Sequence, residues 1–162
     1  MHYHNILHRD IKSDNILCRP NGDIKIADMG FSVFLSEQQQ YRATQKGTLS
    51  WISPEIAQGV TYSKEVDVWA FGCFAFELAS GNPPFQDRAN DMDELFGAII
   101  NDPVPRIPAK WSDVFADFCE KCLIKDPRER WTFERLLNHE FMVGAELCRE
   151  PWVREYAEWA RE

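Results

Sequence analysis

Between Ser63 and Gly81 the apolar residues Val66, Val68, Trp69, Phe71, Phe74, Phe76 and Leu78 fall on every side of a helical wheel. That pattern predicts a helix buried all round, not a surface helix with one apolar stripe. Ser63 is placed to cap it, Glu65 and Asp67 put acid in the first turn, and Gly81 with Pro83-Pro84 ends it. This helix is the expected centre of the core. Helical spacing returns at 93–100, 111–123 and 132–138, separated by Pro103-Val104-Pro105, Pro108 and Asp126-Pro127. In the tail, 143–162, Trp152, Tyr156 and Trp159 stand at i, i+4 and i+7 with Arg and Glu between them, which predicts an amphipathic helical extension.

The strand signal is confined to the start. Ile16-Leu17-Cys18 and Ile24-Lys25-Ile26 flank Pro20-Asn21-Gly22-Asp23, and Asn-Gly tolerates the positive φ of a tight hairpin. Residues 30–65 hold no sustained period and read as one long loop. The expected fold is mainly α with a small β-hairpin, without internal repeats.

Composition narrows the class. With 162 residues, 44% hydrophobic and 27% charged, the chain is a globular domain able to bury a core, which excludes disordered and collagen-like readings. Eighteen Lys and Arg against 26 Asp and Glu give a net charge of −8, so nucleic acid is not an expected partner. The five cysteines (Cys18, Cys73, Cys119, Cys122, Cys148) are an odd, scattered set and read as thiols of a reducing compartment. The N-terminus lacks a signal-peptide pattern, and the longest apolar stretch, Val66 to Ala79, contains Asp67 and Glu77 and falls short of the roughly 20 residues that span a bilayer. A cytoplasmic protein without membrane insertion is the expectation.

The chemistry is concentrated near the hairpin. His8-Arg9-Asp10-Ile11-Lys12-Ser13-Asp14-Asn15 precedes it and Asp28-Met29-Gly30 follows it, so the hairpin returns the second group to the first. Together they offer hard oxygen ligands of the kind Mg²⁺ uses beside nucleotide phosphates, with a further carboxylate and a Lys for a transferring phosphoryl group.

These motifs resemble those of eukaryotic protein kinases. The resemblance runs on in order through Ser53-Pro54-Glu55 at the family's A-P-E, Asp67-Val68-Trp69-Ala70-Phe71-Gly72 at its D-x-W-x-x-G and Asp126-Pro127-Arg128-Glu129-Arg130 at its D-P-x-x-R. It implies a kinase-like fold over residues 1–142, the C-terminal (large) lobe, and transfer of the ATP γ-phosphoryl group to Ser/Thr hydroxyls of protein substrates. By resemblance Asp10 accepts or orients the hydroxyl proton, Lys12 stabilises charge on the γ-phosphate, and Asn15 and Asp28 hold Mg²⁺. Glu55 and Arg130 form an ion pair, and Asp67 braces the catalytic-loop backbone. Lys two residues after Asp10 is the serine/threonine form of the loop.

The run from His8 to Leu17, with Gly47-Thr48-Leu49-Ser50-Trp51 and Gly81-Asn82-Pro83-Pro84-Phe85, is most similar to Ste-type kinases, with NIMA-related kinases second. Thr44, four residues before Thr48, falls where many such enzymes carry an activating phosphate. A phosphate placed there by an upstream kinase or by autophosphorylation would pair with Arg9 and order the loop; Thr48 belongs to the same regulatory segment.

Two motif positions depart: Met29 replaces the Phe of D-F-G, and Ser53 the Ala of A-P-E. Only seven residues precede His8, so no Gly-rich loop, ATP-contacting Lys or hinge is encoded in residues 1–162. Without a nucleotide clamp the isolated chain is expected to have no appreciable kinase activity. Three readings follow: part of a serine/threonine kinase, a non-catalytic interaction lobe, or a truncated gene product.

Other features have plainer readings. Cys119-Glu120-Lys121-Cys122 has no second Cys pair and falls mid-helix, so packing in the core is expected over metal or redox chemistry. His2, His4 and His8 read as loop and frayed-end histidines, and Asp87, Asp91, Asp93 and Glu94 as a solvated helix start. The aromatic stripe of the tail is expected to cover the lobe rather than to dock a partner.

Overall fold

The computed structural model describes residues 1–19, 21–35 and 49–147, the last three by backbone alone. The chain opens with a 3-10 turn at His2–His4 and strand β1 (Ile6–Leu7), then a second 3-10 turn at Ser13–Asn15 and strands β2 (Ile16–Cys18) and β3 (Ile24–Ile26). β2 and β3 pair antiparallel with Ile16 opposite Ile26 and Cys18 opposite Ile24. Gly22 takes φ 81° in the turn, as the Asn-Gly signal requires.

The described parts of the segment read as a long loop, 30–35 and 49–65, contain short regular elements. Strand β4 (Val33–Phe34) pairs antiparallel with β1, Ile6 opposite Phe34 and Leu7 opposite Val33. Helix α1 (Pro54–Ala57) follows further on. Two-residue strands and a one-turn helix are too short to produce a period, which is why the pattern does not reveal them.

Helix α2 (Glu65–Ser80) is the expected central helix. Val66, Asp67, Val68, Trp69, Ala70, Gly72, Cys73, Ala75, Phe76 and Ala79 are buried, but Leu78 is 66% exposed, so the last turn has a solvent side. The cap also differs from expectation. Lys64, not Ser63, is the N-cap residue, without a side-chain capping bond, and Ser63 contributes its backbone carbonyl to the Val66 N–H. Gly81 ends the helix at φ 88°, its N–H donating to the Glu77 carbonyl, the left-handed C-terminal cap that glycine adopts without a Cβ clash.

Around α2 pack α3 (Met92–Asn101), α4 (Asp113–Cys122), α5 (Phe133–Leu136) and α6 (Glu140–Leu147). The first three start on side-chain caps: Asp91 accepts from the Asp93 and Glu94 N–H groups, Ser112 from Phe115 and Thr132 from Arg135. α5 is shorter than its sequence spacing predicts, and α6 is an addition to it.

Trp69, Cys73 and Phe76 of α2 join Phe85, Leu95, Ala98, Ile99 and Leu123 in one core cluster, while Val68 and Ala75 join Phe118, Cys119, Cys122 and Leu136 in another. Val66 joins Leu7 and Tyr62 in a third, so α2 contributes to all three clusters. Both Cys119 and Cys122 are packed inside it. Among the described residues no helix is long and apolar enough to cross a membrane, and no group of three His, Cys, Asp or Glu could hold a metal ion. The aromatic tail, 152–159, lies outside the described residues.

Candidate active site

β1 delivers the chain into the core at Leu7, and the next residue, His8, is completely buried. Its Nδ1 faces the Asp10 N–H at 3.3 Å and its Nε2 lies 3.1 Å from the Ala27 carbonyl, an arrangement that places the ring proton on Nε2. The imidazole thereby joins the loop before the hairpin to the strand leaving it. His2 is no frayed-end residue either, since its Nε2 lies 2.7 Å from Asp67 Oδ2.

Asp67, 1% exposed in the first turn of α2, holds the loop by its backbone. Oδ2 accepts the His8 N–H and Oδ1 the Arg9 N–H, both at 2.8 Å. Those bonds satisfy a carboxylate that would otherwise be costly to bury. They also fix Arg9 at φ 67°, a left-handed conformation uncommon outside glycine. The Arg9 side chain donates from Nε to the Phe31 carbonyl at 2.6 Å and from Nη1 to the Tyr62 hydroxyl at 3.1 Å.

The turn beyond brings Asp10, Lys12 and Asn15 together. Asp10 is 5% exposed. Its Oδ2 accepts from Asn15 Nδ2 at 2.9 Å and lies 3.0 Å from Lys12 Nζ. Asn15 Nδ2 also donates to the Asp10 carbonyl at 2.8 Å, so the amide nitrogen is committed and Oδ1 is the atom left for a cation. The Ala27 N–H donates to the Asn15 carbonyl at 2.8 Å, which seats Asp28 at the other end of the hairpin. Asp28 is exposed, at φ 58°, and its Oδ1 accepts the Gly30 N–H at 3.1 Å. A Cβ at Gly30 would come within 3.0 Å of that same Oδ1, so glycine leaves the carboxylate its position.

One contributor is not apparent from the sequence. Glu77, in the last turn of α2, accepts the Ser13 hydroxyl on Oε1 at 2.9 Å and the Trp51 indole N–H on Oε2 at 3.3 Å. It ties the turn after Lys12 to the segment leading into α1. In the sequence Glu77 is a polar interruption of an apolar helix, and nothing local marks its partners 64 and 26 residues away.

Glu55 and Arg130 meet in a bidentate pair, Nη1 to Oε1 at 2.7 Å and Nη2 to Oε2 at 3.0 Å, each residue 3% exposed. Arg130 donates further to the carbonyls of Ile124, Glu65 and Lys125, which satisfies a guanidinium wholly removed from water. α1, α2 and the 124–130 segment are thus clamped at one point. Thr44 and Thr48 lie outside the described residues.

A buried carboxylate and amide gathered on one turn with a partly exposed ammonium, and a second, exposed carboxylate returned by a hairpin, form an arrangement for positioning and charge stabilisation. Residues 1–142 match the protein kinase domain family. The chain belongs to the protein kinase family. The serine/threonine-protein kinase pakB of Dictyostelium discoideum is 40% identical over 147 residues, which cover 90% of this chain and 17% of that protein. The chain therefore corresponds to a small part of that relative's length.

Proposed function

We propose that these residues form the catalytic face of a serine/threonine kinase that transfers the γ-phosphoryl group of ATP to protein hydroxyls. The observation that carries this reading is the Lys12–Asp10–Asn15 cluster with Asp28 at the far end of the hairpin. Asp10 takes the proton of the substrate Ser or Thr hydroxyl as its oxygen bonds to the γ-phosphorus and the bond to the β–γ bridging oxygen breaks. Lys12 offsets charge on the transferring group. Asn15 Oδ1 and the Asp28 carboxylate are hard oxygen donors suited to Mg²⁺, which when bound neutralises phosphate charge. Ste-type kinases are the subfamily the loop motif favours, and an activating phosphate on Thr44 facing Arg9 is the matching regulatory device.

Residues 1–162 contain the metal ligands but no Gly-rich phosphate loop, so by themselves they should transfer little phosphate. The test is a transfer assay with Mg·ATP and a generic Ser/Thr substrate, on residues 1–162 alone and joined to a protein-kinase nucleotide-binding lobe. Activity is expected only in the joined form, and Asp10→Ala or Asp28→Ala should lower it at least about a hundredfold. Full activity of the Asp10→Ala or Asp28→Ala chimera would overturn the role assigned to that residue.

A further inference from the structure

Ser53 stands at the N-cap position of α1, where a serine hydroxyl ordinarily accepts an N–H from the first turn. Here it makes no capping bond, although its backbone is extended at φ −81°, ψ 158° and its carbonyl takes the Ala57 N–H at 3.0 Å. Pro54, next in the chain, has no N–H to offer. Ser53 is 1% exposed and its Oγ is buried without a protein partner. Native interiors seldom keep such a group, because an unpaired buried hydroxyl forfeits its hydration with nothing in return.

The same residue lines a small cavity directly beneath the catalytic loop. Arg9, Asp10 and Asp67 contribute to its wall, with Ile56 and Ala70 on the apolar side, and its volume is about 20 Å³. A single water needs roughly 10–15 Å³ measured this way, together with two to four polar partners. The cavity is large enough for one molecule and too small for a chain of them. An apolar void of this size would stay dry, but this one is lined by a hydroxyl and two carboxylate-bearing residues.

We propose that this cavity is a binding site for one structural water, held by the Ser53 hydroxyl and bridging α1 to the catalytic loop. Ser53 supplies a donor and an acceptor, and the water's remaining hydrogens turn toward the acceptors of the loop and of α2. The bridge does not depend on phosphoryl transfer: it requires only the fold. It gives the serine that stands in place of the family's alanine a definite task, joining the helix that carries Glu55 to the loop that carries Asp10.

The test compares high-resolution crystal structures of the 162-residue chain and its Ser53→Ala variant. One ordered water within hydrogen-bond reach of Ser53 Oγ is expected in the first and its loss in the second. Magnetic relaxation dispersion in solution, which counts long-lived internal waters, should fall by one in Ser53→Ala and stay unchanged in a surface control, Ser80→Ala. The proposal is overturned if Ser53 Oγ proves to donate to a protein carbonyl with the cavity dry, if the water remains with the same partners in Ser53→Ala, or if the count of long-lived waters does not change.

Discussion

Asp67 Oδ1 receives the backbone N–H of Arg9 at 2.8 Å across 58 residues of sequence, and Arg9 keeps a left-handed φ of 67° at that contact. A side chain of the core helix thus decides the backbone conformation of the loop that bears Asp10. Asp67→Asn keeps the volume but offers one oxygen where two are in use, so either the His8 or the Arg9 N–H faces an amide NH₂. The expected loss is about 1–3 kcal/mol in urea unfolding, the usual cost of one buried unpaired donor. An unchanged urea midpoint would show that the loop holds its shape by other means.

The Glu55–Arg130 pair is buried on both sides, and Arg130 also serves three carbonyls. Arg130→Met leaves Glu55 charged and alone in the core and should cost about 3–5 kcal/mol. The double variant Glu55→Leu/Arg130→Met should be less destabilised than the sum of its singles, because the orphaned charge is gone. Additive losses in chemical denaturation would mean that the two residues act separately.

Gly72 sits where α2 presses against the end of α4. A Cβ there would lie 2.7 Å from Cys122 Cβ and 2.9 Å from the Leu123 side chain. Gly72→Ala gains helix propensity, worth up to about 1 kcal/mol on an exposed surface. Overpacking outweighs it, and a net loss of about 1–3 kcal/mol is expected. Thermal melting with a Tm at or above that of the parent would show that the two helices can separate freely.

Burial pushes the Cys73 and Cys122 thiols far up and Cys119 up to about 12, whereas Cys18 is partly exposed. In a Cys148→Ser background, Ellman's reagent should label one thiol of the native chain quickly and three more only as it unfolds. Rapid labelling of a second native thiol would reopen a chemical role for the Cys119–Cys122 pair.

The long central helix was legible because seven apolar side chains cannot all avoid the core on one surface helix. The hairpin was legible because Asn21-Gly22 has few other uses. Ser63 misled, because a capping residue type two positions before the first helical residue looks the same in sequence as one in place. β4 and α1 were hidden by brevity. Among the site residues, Asp10, Lys12, Asn15 and Asp28 lie in two short motifs joined by a hairpin, and local reasoning brings them together. Glu77, His2 and the buried state of His8 depend on contacts more than 50 residues distant or on the packing of the loop, which no local pattern records.

Asp67 and Glu77 are ten residues apart on α2, about 15 Å along its axis. One holds the loop at His8 and Arg9, the other at Ser13. The loop is therefore slung between two posts on a single rigid rod, and its curvature is inherited from the rod's length. A graft of residues 8–15 onto another protein would carry the reactive groups but lose their spacing, whereas a graft that includes 65–80 would transplant the spacing with them.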